Sequence, residues 1–350
     1  MLPPRPELLR PDNFTPPTRT PWGGRKILDR FKKGLDLGPA GALPIVGESW
    51  EVSVEPSFPS RLAATGAMLH DVIAATPLAW LGKREAQRYS DQTPLLVKLI
   101  DAADHLSVQV HPADDDPALD EDESGKPEGW YVLDAAPGAG LYLGFRDGVG
   151  RADVERCLRT DGPLDELMSF VRVQPGDAFA IAPGVVHAIG AGVTVIEPQL
   201  VIPGRHGLTY RYWDWNRRYD ERGQPSPSGR PRPLHIERAL EVTLWDVNHG
   251  SAAVDATRAR PRVLEAGAVS RTLLLDWHHF ALERWAGTGV LQLPPLATML
   301  AAVCVRGAAE LRTDLGSLTM QCGHSAVVPA CAGAIEVACA DAELLITRAD

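Results

Sequence analysis

The chain has 350 residues, 45% of them hydrophobic and 23% charged, a length and balance that support a real core and exclude a disordered or collagen-like polymer. With 45 acidic against 35 basic residues the net charge is −10, and no basic stripe interrupts that field, which excludes a nucleic-acid partner but still allows a small anion wherever two or three cations gather. No run approaches the roughly 18 apolar residues of a membrane span, and the opening stretch has no signal-peptide core, so a cytoplasmic protein without a membrane partner is expected.

In chain order, the first 21 residues are proline-rich and read as an extended arm over the surface, ending at Trp22-Gly23-Gly24. Trp50 to Val54 alternates as a strand does. Ser60 to Leu81 has helical spacing, interrupted at Pro77. From Leu95 the short β-rich runs LLVKLID, LSVQVH, GWYVLD and GLYLGF follow, separated by Asp, Pro or Gly. Asp153 to Leu158 and Leu164 to Val171 read as two short helices, an insert over about 150–171. Turns every six to ten residues then continue to Glu197, and Pro233 to Val242 has helical spacing again. Beyond Trp245 the chain returns to short strands, among them TLLLD, FALERW, TMLAAVCV, AAELR, AIEVAC and ELLITR. The expectation is a mainly β fold with a unit over 1–245 and a smaller one over 246–350. Five cysteines, four of them after residue 300 and none in a CxxC pair, read as buried thiols rather than a disulfide framework or a zinc site.

Three stretches hold the candidates for chemistry. A strand over Leu106–His111 puts Ser107, Gln109 and His111 on one face and Leu106, Val108 and Val110 on the other, so that Gln109 and His111 can reach one ion. Taken alone, the same row also fits a solvent-facing edge. Glu128 follows an acidic cluster and a proline, and alone fits a solvated loop. His187, following two valines after a tight turn, alone fits a hydrogen-bonded core imidazole. Together, two imidazoles, a carboxylate and an amide oxygen form a donor set for one borderline divalent ion. His278 and His279, adjacent on an expected strand, point to opposite faces and cannot share an ion.

At these residues the chain resembles the type I phosphomannose isomerases, zinc-dependent mannose-6-phosphate isomerases of the cupin superfamily. The matching stretches are Trp22-Gly23-Gly24, Glu48-Ser49-Trp50-Glu51, Pro94 to Pro112, Gly125 to Asp134, Gly176 to Gly190, Thr209-Tyr210-Arg211 and LHIERALEV. The resemblance implies two cupin-like jelly-roll units, the second degenerate, and one Zn²⁺ per chain held by Gln109, His111, Glu128 and His187. It also implies an active-site arginine at Arg211, and a sugar-phosphate pocket lined by Lys98, Ser107 and Lys126. The reaction implied interconverts mannose 6-phosphate and fructose 6-phosphate through an enediolate. Its base is left open among Glu197, another carboxylate and a metal-bound water. The chain departs from the family between Glu197 and Arg211, where a longer, more apolar segment stands and Arg205 is an added candidate cation. A different metal-dependent cupin (another sugar isomerase or epimerase, an oxygenase, or a non-catalytic sugar-binding protein) is the alternative.

Overall fold

In the computed structural model, which describes residues 4–349, two five-stranded antiparallel sheets stand face to face. One runs in the order Tyr210–Trp213, Val108–Val110, His187–Ile189, Gly140–Phe145, Met168–Arg172; the other Glu48–Val52, Leu95–Asp101, Val193–Leu200, Glu128–Ala135, Ala178–Ile181. The period of two explains which side chains meet. In Leu95–Asp101, Leu95, Val97 and Leu99 join the hydrophobic core, whereas Leu96, Lys98 and Ile100 line a cavity between the sheets. In the first sheet Val108 and Val110 are fully buried in apolar packing and leave Ser107 and Gln109 to the cavity. The fold is thus mainly β, as expected.

A third sheet of eight strands takes most of the last ninety residues. Its strands are longer than the sequence suggests. TMLAAVCV and AAELR merge into the single strand Leu300–Thr313, and AIEVAC and ELLITR into Ile335–Ala349. Register shifts on either side of Arg306, with Gly307 at a φ of 65°, bend one continuous strand where the hydrophobic pattern breaks.

Other local expectations are corrected for identifiable reasons. Pro77 opens a second helix, Pro77–Tyr89, after Leu69–Ala75, because a proline at the first helical position loses no hydrogen bond. The helix expected at residues 153–158 spans Arg151–Arg159, but the next stretch is only a 3₁₀ turn, Leu164–Leu167, followed by the strand Met168–Arg172. A helix over Ile236–Val242 is present; one over Gly250–Thr257 was not anticipated. Of the cysteines, Cys304 and Cys339 are buried, whereas Cys331 is exposed.

The proline-rich arm is not a surface strap. Glu7–Leu8 pairs with Ser325–Val328 in the third sheet, and Leu9 and Phe14 are buried in the core. The arm then runs beside Glu48–Val52, with the Thr15 amide donating to Glu48 O (3.1 Å) and the Trp50 amide to Asn13 O (2.9 Å). On the far side of that strand the buried Lys32 ammonium meets Glu51 at 2.8 Å, and Ser325 Oγ donates to the same carboxylate. A pair removed from water this far is costly to break by removing one partner.

Candidate metal centre and active-site cavity

Strand register assembles the site. In the first sheet Arg211 lies opposite Gln109, and Gln109 opposite His187, so three side chains far apart in sequence form one row. In the second sheet Trp50, Lys98 and Glu197 form another row, and Glu128 stands opposite Gln199. The rows face each other. His111, just after its strand, and His187 each bring Nε2 to 3.2 Å from a Glu128 oxygen, and ligand atoms of the three residues, all buried, lie within 4.8 Å of one another.

These contacts are not ordinary hydrogen bonds. His111 Nδ1 is 2.9 Å from Leu208 O and His187 Nδ1 is 2.8 Å from Val185 O. A carbonyl can only accept, so both Nδ1 atoms carry a proton, and in the neutral ring each Nε2 then presents a bare lone pair. Burial and the Lys126 charge lower the His111 pKa to about 3. Against burial, the Lys126 charge holds the Glu128 carboxyl well below its usual range, and it is ionised. Lone pairs therefore converge on lone pairs, and His111 Nε2 and Glu128 Oε1 are buried without a hydrogen-bond partner. Such an arrangement calls for a cation, and two imidazoles with a carboxylate suit a borderline divalent ion. Gln109 joins them, its amide 3.3 Å from His187 Nε2, with Ser107 Oγ donating to Gln109 Oε1 at 3.4 Å. A half-turn of the amide would present that oxygen to the same point.

The adjoining cavity of about 380 Å³ is lined by Lys98, Ser107, Gln109, Lys126, Glu197 and Arg211, all singled out from the sequence. Arg205 is not on its wall; its guanidinium donates to Glu123 O at 3.3 Å. The departing segment instead serves the ligand cluster. Its Leu208 carbonyl orients His111, and a Cβ at Gly207 would come within 3.1 Å of the Lys126 stem.

Glu197 is buried and its pKa is raised, by burial and then by the Glu128 charge, against the pull of Lys98 and Lys126. The Trp130 indole donates to its Oε1 (2.9 Å), and Gln199 Nε2 donates both to its Oε2 (2.7 Å) and to Glu128 Oε2 (2.8 Å). One amide thus ties together an ionised and a proton-seeking carboxyl. Arg211 donates to Pro233 O at 2.8 Å, while its Nε has no partner; burial and Arg232 depress its pKa to about 10, which leaves it charged at neutral pH.

Several wall residues escaped the sequence reading: Gln199, Arg232, Glu55 and, from the arm, Arg19. His278 and His279 do not point to opposite faces of a strand. They lie in a bend, rings 3.8 Å apart, and among the described residues no third ligand joins them.

The family profile "Phosphomannose isomerase type I, catalytic domain" matches residues 22–131. The probable mannose-6-phosphate isomerase GmuF of Bacillus subtilis is 30% identical over 315 residues, covering 88% of this chain and 90% of that protein. Among solved structures, the mannose 6-phosphate isomerase of Bacillus subtilis superposes with a TM-score of 0.78 at 22% identity, covering 98% of this chain and 99% of that one. A mannose 6-phosphate isomerase bound with zinc and yttrium superposes at 0.71 and 16% identity, covering 99% of this chain and 100% of that one. With ligand cluster, cavity and relatives in agreement, the chain belongs to the type I phosphomannose isomerases, the family of mannose-6-phosphate isomerases.

Proposed function

We propose that the chain interconverts mannose 6-phosphate and fructose 6-phosphate with one zinc ion held by Gln109, His111, Glu128 and His187. The observation that carries this reading is the convergence of unprotonated Nε2 atoms on an ionised carboxylate, beside a cavity that also holds a carboxyl of raised pKa and several cations. A divalent ion bound there supplies Lewis acidity, polarising the sugar carbonyl and stabilising negative charge on the oxygens at C1 and C2.

The protein groups divide the remaining work. Glu197 takes the C2 proton of the open-chain aldose, giving the enediolate, and returns it to C1 while the hydroxyl proton passes from the C2 oxygen to the C1 oxygen, giving the ketose. Its raised proton affinity and its two fixed donors, Trp130 and Gln199, suit a carboxyl that must both accept and release a proton near neutral pH. Arg211 and Lys126 stabilise the charge that spreads over the two oxygens. Lys98 and Ser107 hold the sugar, and Ser107 also steadies Gln109. Leu96 and Ile100 add apolar surface on either side of Lys98 on that wall.

The test is metal analysis paired with a coupled assay on mannose 6-phosphate. One divalent ion per chain, turnover that a chelator abolishes, and recovery on adding zinc are expected; full turnover in metal-free protein would refute the reading. Arg211→Ala is expected to lower kcat by about 100- to 1,000-fold, the cost of losing one preorganised donor to a developing oxyanion. Because the side chain is only half-buried, the melting temperature should change little, and wild-type turnover would remove Arg211 from the reaction.

A further inference from the structure

The substrate proposed above has two ends, and the metal, Glu197 and Arg211 account for only one. A phosphate dianion at the other needs cations not already committed to carboxylates. Five cations line the cavity, Arg19, Lys98, Lys126, Arg211 and Arg232, against three carboxylates, Glu48, Glu55 and Glu197. Most are engaged. Arg232 is clamped by Asp214 through bonds of 2.7 and 2.6 Å, Lys126 lies 3.3 Å from Glu128, and Lys98 lies 3.7 Å from Glu197 and 3.9 Å from Glu48. Arg211 belongs to the row of Gln109 and His187, at the reacting end.

Arg19 differs from all of these. Among the described residues no carboxylate forms an ion pair with it, and its guanidinium lies over the Trp50 and Phe58 rings at 5.5 and 5.1 Å. Lys98 Nζ lies 4.6 Å from the centre of the same Trp50 ring. One indole therefore carries two cations at the cavity wall. The backbone that presents Arg19 is fixed: its amide and that of Thr20 both donate to Pro16 O (2.9 and 3.2 Å), and Thr20, itself buried, meets Thr15 Oγ1 at 3.0 Å. The side chain is exposed, so the arm supplies a rigid base for a guanidinium with donors to spare.

Resting on the isomerase reading, we propose that Arg19 is the phosphate clamp of this site, gripping two phosphate oxygens with its planar fork while the Trp50 and Phe58 rings hold the guanidinium in place. A guanidinium stacked on an aromatic face keeps its in-plane N–H groups available for such a bidentate grip. The clamp thereby sets the preference for a phosphorylated over a neutral sugar.

The experiment compares the zinc-loaded chain with Arg19→Met, Arg19→Lys and, as an off-cavity control, Arg205→Met. Arg19→Met is expected to raise the KM for mannose 6-phosphate by about 10- to 100-fold, the range for losing a charged hydrogen bond, with kcat within a factor of about 2. Inorganic phosphate, measured calorimetrically as a ligand, should weaken in parallel. Inhibition by neutral mannose and the melting temperature should not move, and Arg19→Lys should recover part of the loss. An Arg19→Met protein that binds inorganic phosphate as tightly as its parent, or whose phosphate and mannose affinities fall together, overturns the clamp. Since phosphate binding is read without turnover, an unsubstituted chain inactive on mannose 6-phosphate would refute the isomerase reading separately.

Discussion

His187→Ala is expected to leave the purified protein almost free of divalent metal, and His111→Ala to do the same. Both imidazoles have Nδ1 committed to a backbone carbonyl, which fixes the ring and aims the Nε2 lone pair at the Glu128 carboxylate. Loss of an outer hydrogen-bonding partner of a metal ligand costs about 10- to 100-fold in affinity; loss of the ligand itself should cost more. Turnover should fall with the metal. Each substitution also removes a buried ring beside a buried carboxylate, so circular dichroism and melting temperature must accompany the metal measurement. A folded variant with undiminished metal content would take that histidine out of the ligand set. Restoring activity with excess zinc, at concentrations the parent does not need, would support the assignment.

Glu197→Gln should lower kcat by about 100- to 10,000-fold, the range for a positioned general base, while metal content stays at the parent level. The amide has the shape of the carboxyl but cannot take the proton. It also turns an acceptor towards the Trp130 and Gln199 donors only if its oxygen faces one of them, so a modest fall in melting temperature is expected as well. Exchange of the substrate C2 proton with solvent, followed by NMR, separates the two roles: it should nearly stop in Glu197→Gln. Continued exchange at the parent rate would assign the base elsewhere, and loss of metal would make Glu197 part of the ion's support.

How much of this was legible in the sequence depended on the distance over which the information acts. The polar row Ser107, Gln109, His111 could be read because a strand's period of two is local, and the structure sets Ser107 and Gln109 on the cavity wall and His111 in the ligand cluster. Glu128 and His187 could be singled out as candidates from their turns, but their assignment as ligands, and the naming of Arg211, came through the resemblance. Gln199 could not. It gains its role from pairing opposite Glu128, 71 residues away, and a register shift near Val195 separates that pair from the Thr194 end of the ladder. Arg19 was hidden by composition: a proline-rich stretch reads as loose arm, and nothing local reveals that Asn13 and Thr15 would bond to the backbone of the strand bearing Trp50. Pro77 misled in the opposite way, since the residue that breaks one helix is the one best suited to begin the next.

The pairing of Glu7–Leu8 with Ser325–Val328 has a consequence for how the protein is made. A ribosome delivers the arm first and its partner strand more than three hundred residues later, and contacts of such separation close slowly. The ten strands around the His111, Glu128 and His187 cluster have all emerged by Trp213, long before Ser325 can receive Leu9 or donate to Glu51. During synthesis the cavity can therefore take shape together with the Arg19 segment, whose partners Glu48 and Trp50 lie in the first ten strands, while residues 7–9 still wait for the last sheet to close over them.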